Sequence, residues 1–440
     1  MQKIDTLIKA RWIIPVVPEN TVLHAHALAI RDGNIIDILP ADQADKRYSA
    51  RQIHELDNHA LIPGLINAHT HSPMNLFRGM ADDLPLMEWL QNKIWPAEGK
   101  WANAQFVQDG AQFAIAEMIL SGTTCFADMY FYPEQIAKAA QTAGIRACVG
   151  LIVLDFPTVW ANNADEYIHK GIALHDALKH EPLIHTMFAP HAPYTVSDEP
   201  LQRVRTLADE LDIPIMCHIH ETAFEVNDAA AKTGRRPLAR LQGLGLLSPS
   251  LLAVHMTQLN ADEIKLVADN GVHVIHCPES NMKLASGYCP VHALQQAGVN
   301  VALGTDGAAS NNDLDMFGEM RSAALLAKNV AADATALPAF QALKMATLNG
   351  AQALGIAQET GSLEKGKSAD IVAVDLGHIN TQPLYDPVSQ IVYAAASHQV
   401  AHVWVSGRQL LRERQLTTLN LPALLANAQQ WRERITGASV

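Results

Sequence analysis

Between about residue 60 and residue 310 the chain alternates short apolar, β-rich runs with longer helical patterns, the sequence signature of repeated βα units around a parallel sheet. Eight such runs stand out: Leu61 to His69, Thr123 to Met129, Arg146 to Asp155, Leu183 to Pro190, Pro214 to His220, Leu251 to Met256, Val272 to Cys277 and Val299 to Thr305. The patterns between them read as helices. Among them are Asn103 to Leu120, with Phe106, Ala114 and Met118 at apolar positions, and Asp198 to Leu211 behind an N-cap signal at Ser197. Eight strands, each followed by a helix, predict an α/β chain whose residues 60–360 close into a (β/α)8 TIM barrel.

The flanks follow a different rhythm. Residues 1–59 read as short strands with turn signals at Asp32-Gly33 and Asp57-Asn58, and the tail beyond Gly366 carries compact apolar β runs in GKSADIVAVDL and HVWVSGRQLL. The two termini therefore predict one small β-sandwich domain, composed of 1–59 and 361–440, beside the barrel. A chain of 440 residues, 49% of them hydrophobic, has enough apolar matter for both units. No internal repeat, low-complexity segment or long linker is visible.

Charge narrows the partners. The formal net charge is -13, with 45 acidic against 32 basic residues, and no run of Lys or Arg forms the patch that phosphate backbones require. Nucleic acid and anionic membrane surfaces are not expected partners. The apolar stretch from Trp12 to Val17 is interrupted by Pro15, which reads as no secretory segment, and nothing later approaches the length of a membrane span. The five cysteines are scattered and lack a C-x-x-C pair, which argues against a disulfide framework and against a thiolate zinc site. A cytoplasmic location is the expectation.

The first barrel run ends in PGLINAHTH, where His69 and His71 stand two apart, so an extended backbone aims both imidazoles to one side. An H-x-H alone is weak evidence, and the chain holds a control in His24-Ala25-His26, on a presumed strand outside the barrel, where a surface or packed pair is the better reading. Position separates the two pairs. His69 and His71 fall at the carboxyl end of a barrel strand, where the sites of this fold are built, and His218 and Glu221, His255, and Asp306 fall at the ends of the fifth, sixth and eighth. Neutral imidazoles with one carboxylate suit zinc or another divalent transition ion, with one position left for water. His220, His273 and His276 read as packed or hydrogen-bonded histidines.

PGLINAHTH, then HIHE, then the sixth-strand histidine, then GTDGAASNN, resemble the amidohydrolase superfamily over essentially the whole chain. MEWLQNKIWPAE, FAPHAPYTVS and HCPESNMKLASG further resemble the 5-methylthioadenosine/S-adenosylhomocysteine deaminase family. That resemblance implies one divalent metal, most simply Zn2+, held by His69, His71, His218 and Asp306, with Glu221 and His255 handling protons and with Glu98 and His191 as substrate contacts. The fourth run, LIHTMFAPHA, offers no lysine to bridge a second metal. The implied reaction is hydrolytic deamination of an adenosine-type nucleoside to the inosine-type product and ammonia. In it Asp306 accepts the proton of water, Glu221 protonates the purine ring nitrogen and His255 steadies the developing oxyanion. Glu98, on the long loop after the first strand, would accept hydrogen bonds from the ribose hydroxyls, with Trp89 as an apolar wall. Family members that handle S-adenosylhomocysteine are expected to use arginines near the third strand, yet Leu151 to Lys170 contains none and places Leu154, Phe156, Val159 and Trp160 there. Methylthioadenosine or adenosine is therefore the expected better substrate. The resemblance also implies a homo-oligomer. Two other readings fit the same residues: a deaminase or chlorohydrolase of a free base or triazine ring, and a catalytically silent metal-binding scaffold.

Overall fold

The computed structural model describes residues 1–437, and among them sixteen strands form two eight-stranded sheets. The barrel is built from β5 (Leu65–Thr70), β6 (Thr123–Asp128), β7 (Arg146–Val153), β8 (Ile184–Pro190), β9 (Ile215–Ile219), β10 (Leu251–His255), β11 (His273–His276) and β12 (Val301–Leu303). They follow one another around the sheet in chain order, each neighbour parallel. Strands such as β6, β7, β9 and β10 are buried along their whole length, as expected of a parallel sheet covered on its outside by helices and filled within.

Seven of the expected runs fall within two residues of these strands; the first does not. Leu61 and Ile62 belong to β4 (Tyr48–Pro63), a long strand of the other sheet, and the chain crosses into the barrel at Gly64. A side chain there is sterically barred, since a Cβ would lie 1.9 Å from Thr124 Oγ1. Apolar residues run unbroken through the crossing, so composition gave no sign of it. Asn103 caps the helix Ala104–Leu120 by accepting the amides of Gln105 and Phe106. Ser197 does precede the helix Asp198–Leu211, but its hydroxyl makes no bond into it; its own amide donates to Asp155 instead.

Between β5 and β12 side chains close the barrel. Asn67 donates to Thr305 Oγ1 at 2.7 Å and accepts the Thr305 amide at 3.0 Å, and the Asp306 amide donates to the His69 carbonyl at 3.0 Å. Gly304 permits this approach, because a Cβ there would stand 2.8 Å from the His69 nitrogen. Closure thus brings His69 and Asp306 together.

The second sheet joins β1 (Gln2–Ile13), β2 (Leu23–Arg31), β3 (Asn34–Pro40) and β4 to β13 (Ile371–Asp375), β14 (Val400–Val405), β15 (Arg408–Arg412) and β16 (Gln415–Leu416). β13 pairs with β4, so both termini contribute to one sheet. It folds over on itself: Ile35 donates to Lys367 and Ala369 to Gly33, around an apolar cluster that includes Ile8, Leu28, Leu56 and Trp404. Asp32-Gly33 is the turn between β2 and β3. Asp57-Asn58 is not a turn. It lies within β4, where Ala10 pairs with Leu56 but Trp12 with Ala60, so the excess residues form a bulge while buried neighbours keep the strand paired. The composite unit that we propose over 1–59 and 361–440 leans on the barrel. Arg146, at the start of β7, reaches Asp370 at 3.1 Å, Glu359 at 2.8 Å and Ser368 at 3.1 Å. The helix Leu421–Thr436 packs against Ala104–Leu120, with the Trp431 indole donating to Asp109. All five cysteines are buried and free, and no helix among the described residues is long and apolar enough to cross a membrane.

Candidate active site

The ends of β5, β9, β10 and β12 converge on one buried cluster. His69 Nε2 lies 3.5 Å from Asp306 Oδ1 and 3.1 Å from His218 Nε2, and His71 Nε2 lies 3.2 Å from the same Asp306 oxygen. Spacing explains the first pair, since residues two apart on a strand share a side. His24 and His26 sit on β2, far from this cluster in the fold, with His26 bonded only to the His24 carbonyl. Burial lowers the pKa of His69 to about 4 and of His218 well below the usual histidine value, with neighbouring imidazoles adding to the effect in both. Burial opposes a charge on His71 too, but the Asp306 carboxylate outweighs it and lifts His71 to about 9. Asp306 would be raised by burial, yet His69 and His71 hold its carboxyl well below the ordinary range. Two neutral imidazoles with nitrogens at hydrogen-bond distance and a buried carboxylate beside them are mutually satisfied by a cation, so the donor set fits a divalent transition ion. Subsets of these atoms, His69 with His71 and Asp306, and His69 with His218 and His255, lie within 4.8 Å of one another.

Around the cluster each group is fixed by its neighbours. The His71 Nδ1 meets the Met129 carbonyl at 2.6 Å and His255 Nδ1 meets Asn281 Oδ1 at 2.9 Å. Asp306 accepts from Ser280 at 2.6 Å, from Ser310 at 3.0 Å and from the Gly307 amide at 2.8 Å. Sequence reasoning missed these serines and Asn281, although they lie within the HCPESN and TDGAAS strings that carry the resemblance. Four residues at this rim, His220, His255, Met256 and Asp306, adopt left-handed backbone with φ between 50° and 76°. Such strain in residues other than glycine is concentrated where side chains must be aimed against local preference.

Glu221 stands 3.8 Å from His255, and burial raises its pKa against the pull of His255. Its backbone corner is gripped by Glu225, whose carboxylate accepts the His220 amide at 3.1 Å and the Glu221 amide at 2.7 Å. His220 itself is buried and accepts the Leu238 amide, as a packed histidine does. His273 is likewise paired with Asn300, whereas the His276 Nδ1 is buried without a partner. The strand β8 contains no lysine.

His71, His218, Glu221, His255 and Asp306 open onto a cavity of about 300 Å³ whose remaining wall includes Trp89, Glu98 and His191. Glu98 is not on a loop: it belongs to the short helix Trp95–Trp101. Glu98 is half-buried on the cavity wall, and desolvation raises its pKa to about 7. Burial and the neighbouring imidazoles lower His191 to about 3, and its Nδ1 meets Thr195 at 3.0 Å. Leu154, Phe156 and Val159 line the cavity, while Trp160 turns away to pack on Tyr167, ring centroids 5.7 Å apart. No Lys or Arg is among the lining residues.

A barrel of this kind with histidine and aspartate donors at its carboxyl face defines a class, and the chain belongs to it: the model of the amidohydrolase family matches residues 60–410. More particularly, the chain is 53% identical over 431 residues to the 5-methylthioadenosine/S-adenosylhomocysteine deaminase of Saccharophagus degradans, covering 98% of this chain and 97% of that one. It is 39% identical to the protein of the same name from Aquifex aeolicus, over 99% of this chain and 98% of the relative. Among solved structures it resembles an adenosine deaminase from Xanthomonas campestris with bound zinc, at a TM-score of 0.98 and 53% identity, covering 99% and 100% of the two chains. An atrazine chlorohydrolase from Arthrobacter aurescens shares the fold at a TM-score of 0.91 and 22% identity, over 97% of this chain and 99% of that one.

Proposed function

We propose that the chain is a metal-dependent aminohydrolase that replaces the 6-amino group of an adenosine-type nucleoside by oxygen, releasing ammonia, with 5'-methylthioadenosine preferred. The observation that carries this reading is one cavity whose wall combines three candidate ligands, His71, His218 and Asp306, and the Glu221–His255 pair with Glu98, His191 and Trp89, while the fourth candidate, His69, lies buried against Asp306 and His218. His69, His71, His218 and Asp306 would hold one divalent ion, zinc by analogy with the Xanthomonas enzyme. Such an ion supplies a Lewis acid that lowers the pKa of water from 15.7 to about 7.

The chain's own groups supply the rest. Asp306, fixed by Ser280, Ser310 and the Gly307 amide, accepts a proton from the attacking water and passes it to the leaving amine. Glu221, whose burial favours the protonated form, delivers a proton to the ring nitrogen beside the attacked carbon. His255, oriented by Asn281, steadies the oxygen as charge develops on it. Glu98 accepts the ribose hydroxyls, Trp89 walls the nucleoside and His191 borders it. An apolar methylthio group suits Leu154, Phe156 and Val159, whereas an amino-acid carboxylate meets no cation on the cavity wall. Ammonia release from methylthioadenosine, adenosine and S-adenosylhomocysteine by zinc-loaded protein tests both parts. Comparable kcat/KM on all three would overturn the substrate order, and no release from any of them would overturn the reaction.

A further inference from the structure

Three imidazoles around the site are held through Nδ1 by an oxygen: His71 by a carbonyl, His255 by an amide and His191 by a hydroxyl. His69 differs from these three. Its Nδ1 faces the thioether sulfur of Met216 at 3.1 Å, and both residues are fully buried, so water has no access to the pair. Two lone pairs at that distance would repel, so Nδ1 carries the hydrogen. The neutral ring then keeps its lone pair on Nε2, the atom that faces His218 and Asp306. Met216 lies on β9 two residues before His218, so one inner face of one strand presents both the sulfur and a candidate ligand.

We propose that Met216 is a positioning residue for metal binding, holding His69 in the Nδ1–H form with Nε2 aimed at the ion. This rests on the ligand assignment above. A thioether is a weak acceptor. It orients the ring while adding little to its basicity, unlike the carbonyl that serves His71.

The test uses the full chain and Zn2+, with transfer of zinc to a chromophoric chelator as the readout. Met216→Leu preserves volume but removes the acceptor; its zinc affinity should fall about 10- to 100-fold, the range seen when partners of ligating histidines are lost. The melting temperature of its metal-free form should stay near that of the parent. Met216→Gln, whose amide oxygen can accept the same hydrogen, should bind zinc more tightly than the leucine variant and recover most of the loss. Retention of parental affinity in Met216→Leu, or equal losses in both variants, would reduce Met216 to packing. Should the leucine variant fold poorly, 15N-histidine spectra of the unsubstituted chain still decide, because a His69 ring protonated at Nε2 instead of Nδ1 overturns the proposal. His69→Ala separates this failure from that of the ligand assignment: undiminished zinc binding there would sink the assignment itself.

Discussion

Glu98 and Glu221 are two carboxyls on the wall of one cavity, and the tasks proposed for them require opposite protonation states. Glu221→Gln removes the proton donor while keeping the shape, so kcat should fall about 10²- to 10⁴-fold. Zinc content, read by atomic absorption, should be unchanged; a loss of metal would show that Glu221 acts on the ligands rather than on substrate. Glu98 must be ionised to accept ribose hydroxyls, and desolvation has moved its pKa up to about 7. KM for methylthioadenosine should therefore fall as pH rises through about 7. Glu98→Gln should show a raised KM without that slope. Stability runs the other way. A carboxyl raised in the folded state keeps a proton that the unfolded chain has released, so its contribution is full below the ordinary value of 4.5 and is lost as pH rises through about 7. A KM that is flat from pH 6 to 8 in the parent enzyme would contradict the role given to Glu98.

Elements are aimed by a few close approaches. Gly304→Ala would drive a Cβ to 2.8 Å of the His69 backbone and part β5 from β12. A loss of about 1–3 kcal/mol is expected, with zinc affinity falling alongside, measured by thermal unfolding and metal analysis of the same samples. Unchanged zinc affinity would mean that closure and ligand geometry are independent. What could be read from sequence at this scale follows the physics of each signal. Strand ends were legible because buried parallel strands are nearly all apolar, and the candidate ligand cluster because barrel topology puts all strand ends on one face. The crossing at Gly64, the bulge at Asp57-Asn58 and the grip of Glu225 on the Glu221 corner were not legible, since each depends on what an element meets in space rather than on its own residues. The placement of Glu98 on a helix was missed for a related reason: the helix Trp95–Trp101 is only seven residues long and buries no residue fully, so it leaves no apolar periodicity to read.

At the scale of the whole molecule, the barrel and the second sheet meet at Arg146. Its guanidinium is buried and shared among Asp370, Glu359 and Ser368, and Asp370 has no exposed surface of its own side chain. Arg146→Met leaves that carboxylate buried without its cation, for which a loss of about 3–5 kcal/mol is expected. Thermal unfolding should show an earlier transition, while kcat/KM of the folded enzyme stays close to the parent, because the clamp lies at the opposite end of β7 from the cavity. A matched loss of activity at temperatures where the variant is folded would show that the sheet acts on the site. The seam between β5 and β12 has its own consequence. Asn67 and Thr305, which close it, are separated by 238 positions along the chain. During synthesis, therefore, the first two candidate ligands emerge long before their partner Asp306 exists. The full set of candidate ligands is available only after most of the polypeptide has been made, so on the proposed assignment an ion can be held by all four only once the barrel's first and last strands have met.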